Sequence, residues 1–272
     1  MNKLIEILKN KRIAVISIAL IMAVGLTAAY YYSMYKPPVV VAENKPNDEA
    51  MNQRENQAGQ EVNQQVNEQM EVLNIYKKDG KKIAYLTFDD GPSKNVTPEV
   101  LDVLKKNNIH ASFFVIGSNA EKHSELIKRE AKEGNKVYNH TYSHTYKAVY
   151  ASPEVFVEDV NRCDQVLKNI LGSSYSSRII RFPGGSFGEK LGPFRDAASK
   201  AGYSFIDWNA LNGDAEGRHH TPEGLLARLK ETAKGEHLVI LMHDAPEKES
   251  TAQALQNIID YLKAQGYIFK TL

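Results

Sequence analysis

The 272-residue chain has one cysteine, Cys163, which rules out an intrachain disulfide, and one tryptophan, Trp208. It also lacks a dominant charge sign. Its 34 Lys and Arg against 33 Asp and Glu leave a formal net charge of +1, which gives no global reason to expect a nucleic-acid partner. No array of fixed period runs through it, which excludes solenoids and propellers. Long hydrophobic runs are nearly absent: Ile13 to Tyr32 (IAVISIALIMAVGLTAAYYY) is one uncharged stretch of twenty residues, long enough to span a bilayer. Lys3, Lys9, Lys11 and Arg12 precede it, so the positive-inside tendency puts residues 1–12 in the cytoplasm and the rest outside. Length and terminal aromatics favour a single-pass anchor over 13–32. The alternative is a signal peptide, for which Thr27-Ala28-Ala29 and Val40-Val41-Ala42 offer small-residue cleavage sites.

Residues 33–72 are rich in Asn, Gln and Glu and carry too little apolar surface to bury a core, so they read as a polar linker. Val62, Val66 and Met70, at four-residue spacing, leave a short helical stalk as the alternative. From residue 73 to 272 the pattern is that of one domain. Helical patterns at 97–107, 119–133, 153–170, 190–201, 222–233 and 251–264 alternate with short apolar runs at 83–86, 111–116, 204–208, 238–242 and 267–269. That alternation predicts an α/β domain with a parallel sheet and outer helices, as an open doubly wound sheet or a barrel.

Several apolar runs end in groups with chemistry. Ile83-Ala84-Tyr85-Leu86 leads into Thr87-Phe88-Asp89-Asp90-Gly91-Pro92, which delivers two carboxylates to a turn. A pair of acids at a buried strand end is costly unless it faces solvent, a metal or a substrate. Lys136-Val137-Tyr138 leads into Asn139-His140-Thr141-Tyr142-Ser143-His144. A helical turn there would put His140 and His144 on one face, and one carboxylate would complete a His₂-carboxylate ligand set. Ile179-Ile180 ends in Arg181-Phe182-Pro183-Gly184-Gly185, where the arginine can hold a carboxylate and the glycines allow close backbone approach. Leu238-Val239-Ile240-Leu241-Met242 ends in His243-Asp244.

In this order, together with Asp214, these segments resemble the five motifs of the polysaccharide deacetylases, the NodB-homology domain or carbohydrate esterase family 4. The resemblance runs from about Lys82 to the C-terminus. It implies an irregular, incomplete (β/α) barrel, the NodB-like deacetylase fold, following the transmembrane helix and polar linker. It further implies that Asp90, His140 and His144 bind a divalent metal, most often Zn²⁺, with Co²⁺, Ni²⁺ or Mn²⁺ as alternatives. Asp89 would be the general base tethered by Arg181, and His243 the general acid oriented by Asp214. Pro183 and Gly184 would meet substrate, with the Gly184 N–H on the oxyanion, and Leu241 would line the acetyl pocket.

The chain departs from the family pattern twice. Gly184 stands where the third motif usually has Tyr, a change that keeps the backbone N–H. Leu211-Asn212-Gly213-Asp214-Ala215 lacks the first Asp and the Trp of the fourth motif, leaving Trp208 as the candidate for the missing aromatic wall. With the anchor, the resemblance leads to an expectation of a cell-membrane enzyme whose monomeric catalytic domain faces the cell wall. That enzyme would remove N-acetyl groups from GlcNAc residues of peptidoglycan, its glycan partner. N-acetylmuramic acid and chitooligosaccharides remain alternative substrates, and a catalytically silent wall-binding module is the alternative of another class.

Overall fold

Two buried strands, β1 (Ile83–Asp89) and β7 (His237–His243), run parallel in unbroken register from Ile83 opposite His237 to Asp89 opposite His243. Their side chains alternate between two apolar layers. Ala84, Leu86 and Phe88 of β1 join Leu238, Ile240 and Met242 of β7 in the larger cluster, packed with the helices. Ile83, Tyr85 and Val239 face the other way, with Phe114, Tyr138 and Ile179. A parallel sheet covered on both faces needs apolar residues at every position, so these segments read as continuous hydrophobic runs. Each fully buried Leu, Ile or Phe contributes about 1.5–3 kcal/mol.

The computed structural model describes Val72, residues 74–217 and residues 221–272. The expected cytoplasmic segment 1–12, the anchor 13–32 and the linker before Val72 lie outside the described residues. Among the described residues, no helix is long and apolar enough to cross a membrane.

The remaining strands are β2 (Ser112–Val115), β3 (Lys136–Asn139), β4 (Ile179–Ile180), β5 (Ser204–Phe205), β6 (Ala210–Leu211) and β8 (Ile268–Phe269). All pair in parallel in the order β5-β4-β3-β2-β1-β7-β6, and β8 joins β1 at Ile83 and Ala84. The edge strands β5 and β6 do not pair with each other, so the curled sheet is an incomplete barrel.

Helices α1 (Val96–Asn107), α2 (Gly117–Lys122), α3 (Ser124–Lys132), α4 (Tyr146–Val149), α5 (Pro153–Leu171), α6 (Gly192–Lys200), α7 (Pro222–Thr232) and α8 (Glu249–Ala264) connect the strands. Two start on legible caps. Ser152 Oγ accepts from the Val155 N–H ahead of Pro153, and Thr221 Oγ1 from the Gly224 N–H ahead of Pro222.

Three local expectations need correction. The helix expected over 119–133 breaks at His123 (φ −130°, ψ 43°), which frees α2 for a task of its own. Its backbone N–H groups at Gly117 and Ser118 donate to Thr141 O and Tyr142 O, and Asn119 Nδ2 donates to Asp90 O, tying α2 to both acid and histidine turns. The segment expected over 190–201 opens as a 3₁₀ turn, Glu189–Leu191, before α6. The His140–His144 segment is not a helical turn at all: Thr141 (φ 67°) and His144 (φ 51°) are left-handed and fold it into a tight loop.

Candidate active site

At the carboxyl end of the sheet, alternation makes Asp89 and His243 the last partners of β1 and β7 and turns both to the face opposite Phe88 and Met242. Asp90 would point the opposite way if β1 continued. It adopts φ 74° instead, and this break in the strand brings its carboxylate back beside the histidines. Gly91 is required here, because a Cβ would collide with the buried carboxyl of Asp244. Burial, reinforced by the charges of Asp90 and Asp89 and opposed by a hydrogen bond from Thr97 Oγ1, pushes that carboxyl up to about 7.

His140 Nε2 and His144 Nε2 lie 3.4 and 3.2 Å from Asp90 Oδ1. That oxygen is buried, and neither ring meets it with hydrogen-bond geometry. A tetrahedron with bonds of about 2.0–2.1 Å sets its donor atoms about 3.3 Å apart, so the spacing and the orphaned oxygen both suit a shared cation. Nδ1 of His140 lies 2.9 Å from Arg181 O, and a proton donated to that carbonyl leaves the Nε2 lone pair free for a metal. Burial opposes ionisation of Asp90, but the two imidazoles outweigh it and hold its pKa well below the usual carboxylate range. For His140, burial is overcome by Asp89 and Asp90 and the pKa is raised. In His144, burial and the neighbouring His140 charge lower it.

Arg181 is wholly buried and donates to four acceptors: Nη1 to Asp89 Oδ1 at 2.8 Å and Thr87 Oγ1 at 2.7 Å, Nε to Ile206 O at 3.1 Å, and Nη2 to Asp207 O at 3.4 Å. Its guanidinium also lies 4.0 Å from the Phe114 ring centroid. Removing one partner of such a buried pair costs about 3–5 kcal/mol. The other oxygen of Asp89, Oδ2, lies 3.8 Å from His140 Nε2, at the edge of the histidine–aspartate cluster.

Asp214 meets His243 twice, Oδ1 to Nδ1 at 2.7 Å and Oδ2 to the backbone N–H at 2.8 Å, and Oδ2 also accepts from Thr251 Oγ1. Burial works against the imidazolium, but the Asp214 hydrogen bond and charge outweigh it and raise His243 to about 9. Leu241 lies two residues before His243, on the same strand face.

The Pro-Gly-Gly turn is held by Tyr150 Oη donating to Pro183 O at 2.8 Å, and by Asp207, which accepts from the Ser186 N–H and Oγ. Gly184 has φ +76° and its N–H has no acceptor among the described residues. Trp208 stands beside this turn, 5.8 Å from the Arg181 guanidinium and edge-to-face with Phe187 at 5.3 Å.

Four supporting residues are absent from the sequence-based set: Asn212, Asp159, Thr251 and Asp207. Asn212 was legible, since Asn212-Gly213-Asp214 is an Asx turn in which Oδ1 accepts from the Asp214 N–H. Asp159, whose carboxylate receives the Tyr142 and Ser143 N–H groups of the histidine loop, sits mid-helix in α5 and carries no local signal.

Fold and site together define an α/β domain that carries a candidate metal centre, with an acid and a histidine beside it, at the carboxyl edge of a curled parallel sheet. The polysaccharide deacetylase family profile matches residues 76–206. A peptidoglycan-N-acetylglucosamine deacetylase of Bacillus cereus is 30% identical over 269 residues, covering 97% of this chain and 92% of the relative. The peptidoglycan-N-acetylglucosamine deacetylase PgdA of Listeria monocytogenes is 33% identical over 195 residues, and this chain spans 39% of its length. Among solved structures, a CE4 esterase of Streptococcus mutans superposes with a TM-score of 0.68 at 35% identity, covering 75% of this chain and 90% of that one. The chain belongs to the polysaccharide deacetylase family.

Proposed function

We propose that this protein is a metal-dependent deacetylase that hydrolyses the N-acetyl group of GlcNAc residues in cell-wall peptidoglycan and releases acetate. The observation that carries this reading is the meeting of Asp89 and His243 as register partners beside the three converging ligand atoms of Asp90, His140 and His144. Zinc suits two imidazoles and one carboxylate, and a bound ion would polarise the amide carbonyl and lower the pKa of water.

The chain's own groups supply the rest. Asp89, fixed by Arg181, takes a proton from the attacking water. The free Gly184 N–H receives the oxyanion. An amine leaves poorly unless protonated, and His243 gives the nitrogen its proton while Asp214 fixes the ring and stabilises its charge. Leu241 lines the pocket for the acetyl methyl group, and Trp208 borders the sugar. The choice of peptidoglycan GlcNAc draws on the names of the Bacillus and Listeria relatives.

Mass spectrometry of peptidoglycan fragments and of chitooligosaccharides incubated with the zinc-loaded protein tests the reading. Loss of acetyl from GlcNAc is the expected result. Loss from N-acetylmuramic acid, or from chitooligosaccharides alone, transfers the activity to the alternative substrates, and no acetate from any of them leaves a silent wall-binding module.

For localisation, we infer that residues 13–32 anchor the chain, with 1–12 cytoplasmic and a monomeric catalytic domain outside. Protease treatment of intact protoplasts should release an active soluble domain. Mature protein free in the medium and beginning near Ala29 or Glu43 would show a cleaved signal peptide instead.

The acid has its own test. Asp214→Asn should reduce kcat about 10- to 100-fold, the usual cost of losing an orienting partner. It should also move the alkaline limb of the rate profile to lower pH, because His243 is raised to about 9 by Asp214 and must be protonated to act. The same pair stabilises the fold fully below about pH 6.5, and that stability is lost as pH rises through about 9. An unmoved alkaline limb with metal still bound would remove Asp214 from this role.

A further inference from the structure

A Cβ at Gly184 would stand 2.8 Å from Tyr146 Oη and 3.2 Å from Tyr146 Cε1. The phenol therefore occupies the volume that a side chain at 184 would enter, and it arrives there from α4, two residues after His144. Its ring meets His144 edge-on, with centroids 5.5 Å apart and planes at 90°, and packs at 6.0 Å against Tyr150. Tyr146 is nevertheless 53% exposed, and its hydroxyl has no hydrogen-bond partner among the described residues. On the other side of the turn, a Cβ at Gly185 would meet Phe187 and Trp208, and Phe187 is 55% exposed. The two glycines thus form a floor between aromatic walls, open to solvent and adjoining the histidine–aspartate cluster.

Apolar walls with a few placed polar groups are what a small ligand with both apolar and polar faces requires. A pyranose has such faces, its axial C–H groups lying against rings and its hydroxyls seeking partners. A phenol of ordinary pKa near 10 is protonated at neutral pH and can donate. Resting on the deacetylase reading above, we propose that Tyr146 is a specificity-determining residue: its ring walls the cleft over Gly184, and its hydroxyl hydrogen-bonds an oxygen of the N-acetylated sugar.

The test compares wild type with Tyr146→Phe and Tyr146→Ala, all as full-length zinc-loaded protein. Trp208 is the sole tryptophan and borders the cleft, so its emission reports binding of tetra-N-acetylchitotetraose without requiring turnover. Tyr146→Phe should weaken that binding, and raise KM for the tetramer, by about five- to tenfold, the worth of one hydrogen bond. Its kcat should stay near wild type, and its kcat/KM on 4-nitrophenyl acetate, which has an acetyl group but no sugar, should not change. Tyr146→Ala should lose more of the tetramer affinity, because the wall goes too. Unchanged affinity in Tyr146→Phe, or an equal loss on both substrates, overturns the proposal. Wild type that binds the tetramer but releases acetate neither from it nor from peptidoglycan fragments sinks the deacetylase reading alone, since the comparison of affinities is still read.

Discussion

Asp89→Asn should lower kcat by about a thousandfold while leaving the metal in place, within the range that a positioned general base contributes. The two adjacent aspartates have separate partners. Asp90 Oδ1 faces the imidazoles of His140 and His144, whereas Asp89 Oδ1 is held by Arg181 Nη1 at 2.8 Å. An amide at 89 keeps one oxygen for Arg181 but cannot accept a proton from water, so chemistry is lost and the ligand set is not. The cost in stability should be smaller than for Asp89→Ala, which leaves the buried guanidinium without a side-chain partner at that nitrogen other than Thr87. Metal analysis of the purified variant beside its acetate-release rate is the check. Near-normal turnover with full metal would mean that another group accepts the proton, and loss of metal would mean that Asp89 is itself a ligand.

What the sequence revealed follows from where its signals are local. β1 and β7 are legible because strands buried on both faces must be apolar throughout, and the acids and the histidine at their ends stand out against such runs. The pairing of Asp89 with His243 is a matter of register between segments more than 150 residues apart, and no local pattern encodes it. The His140–His144 spacing pointed to a shared ligand site for the wrong geometric reason. Two left-handed residues and the carboxylate of Asp159, supplied from α5, fold the loop, where helical periodicity was expected. α4 and β6 escaped notice because four and two residues are too short to show a period. Gly184 looked like a simple loss of a side chain in the third motif. Only the fold shows Tyr146 standing where that side chain would have been.

His140→Ala should abolish both tight metal binding and turnover, the largest effect expected of a single substitution at this site. His140 is a buried ring with two committed nitrogens: Nδ1 at the Arg181 carbonyl and Nε2 at the edge of the cluster, 3.4 Å from Asp90 and 3.8 Å from Asp89. Its loss leaves one imidazole and one carboxylate, too few for a closed, tightly held site. Heat makes the result readable without any substrate. An ion present at a hundred times its Kd stabilises the folded state by about 2.7 kcal/mol. For a domain of about 200 residues, with roughly 2–4 °C per kcal/mol, that raises Tm by about 5–11 °C. Wild type should show this rise on adding zinc to chelator-treated protein, and His140→Ala should show none at the same concentration. His144→Ala should behave alike, whereas Tyr146→Phe, which removes no ligand, should keep the full rise. A His140→Ala protein that still gains the wild-type increment and binds stoichiometric zinc would move the metal to a different set of residues, and with it the site at which the acetamide is cut.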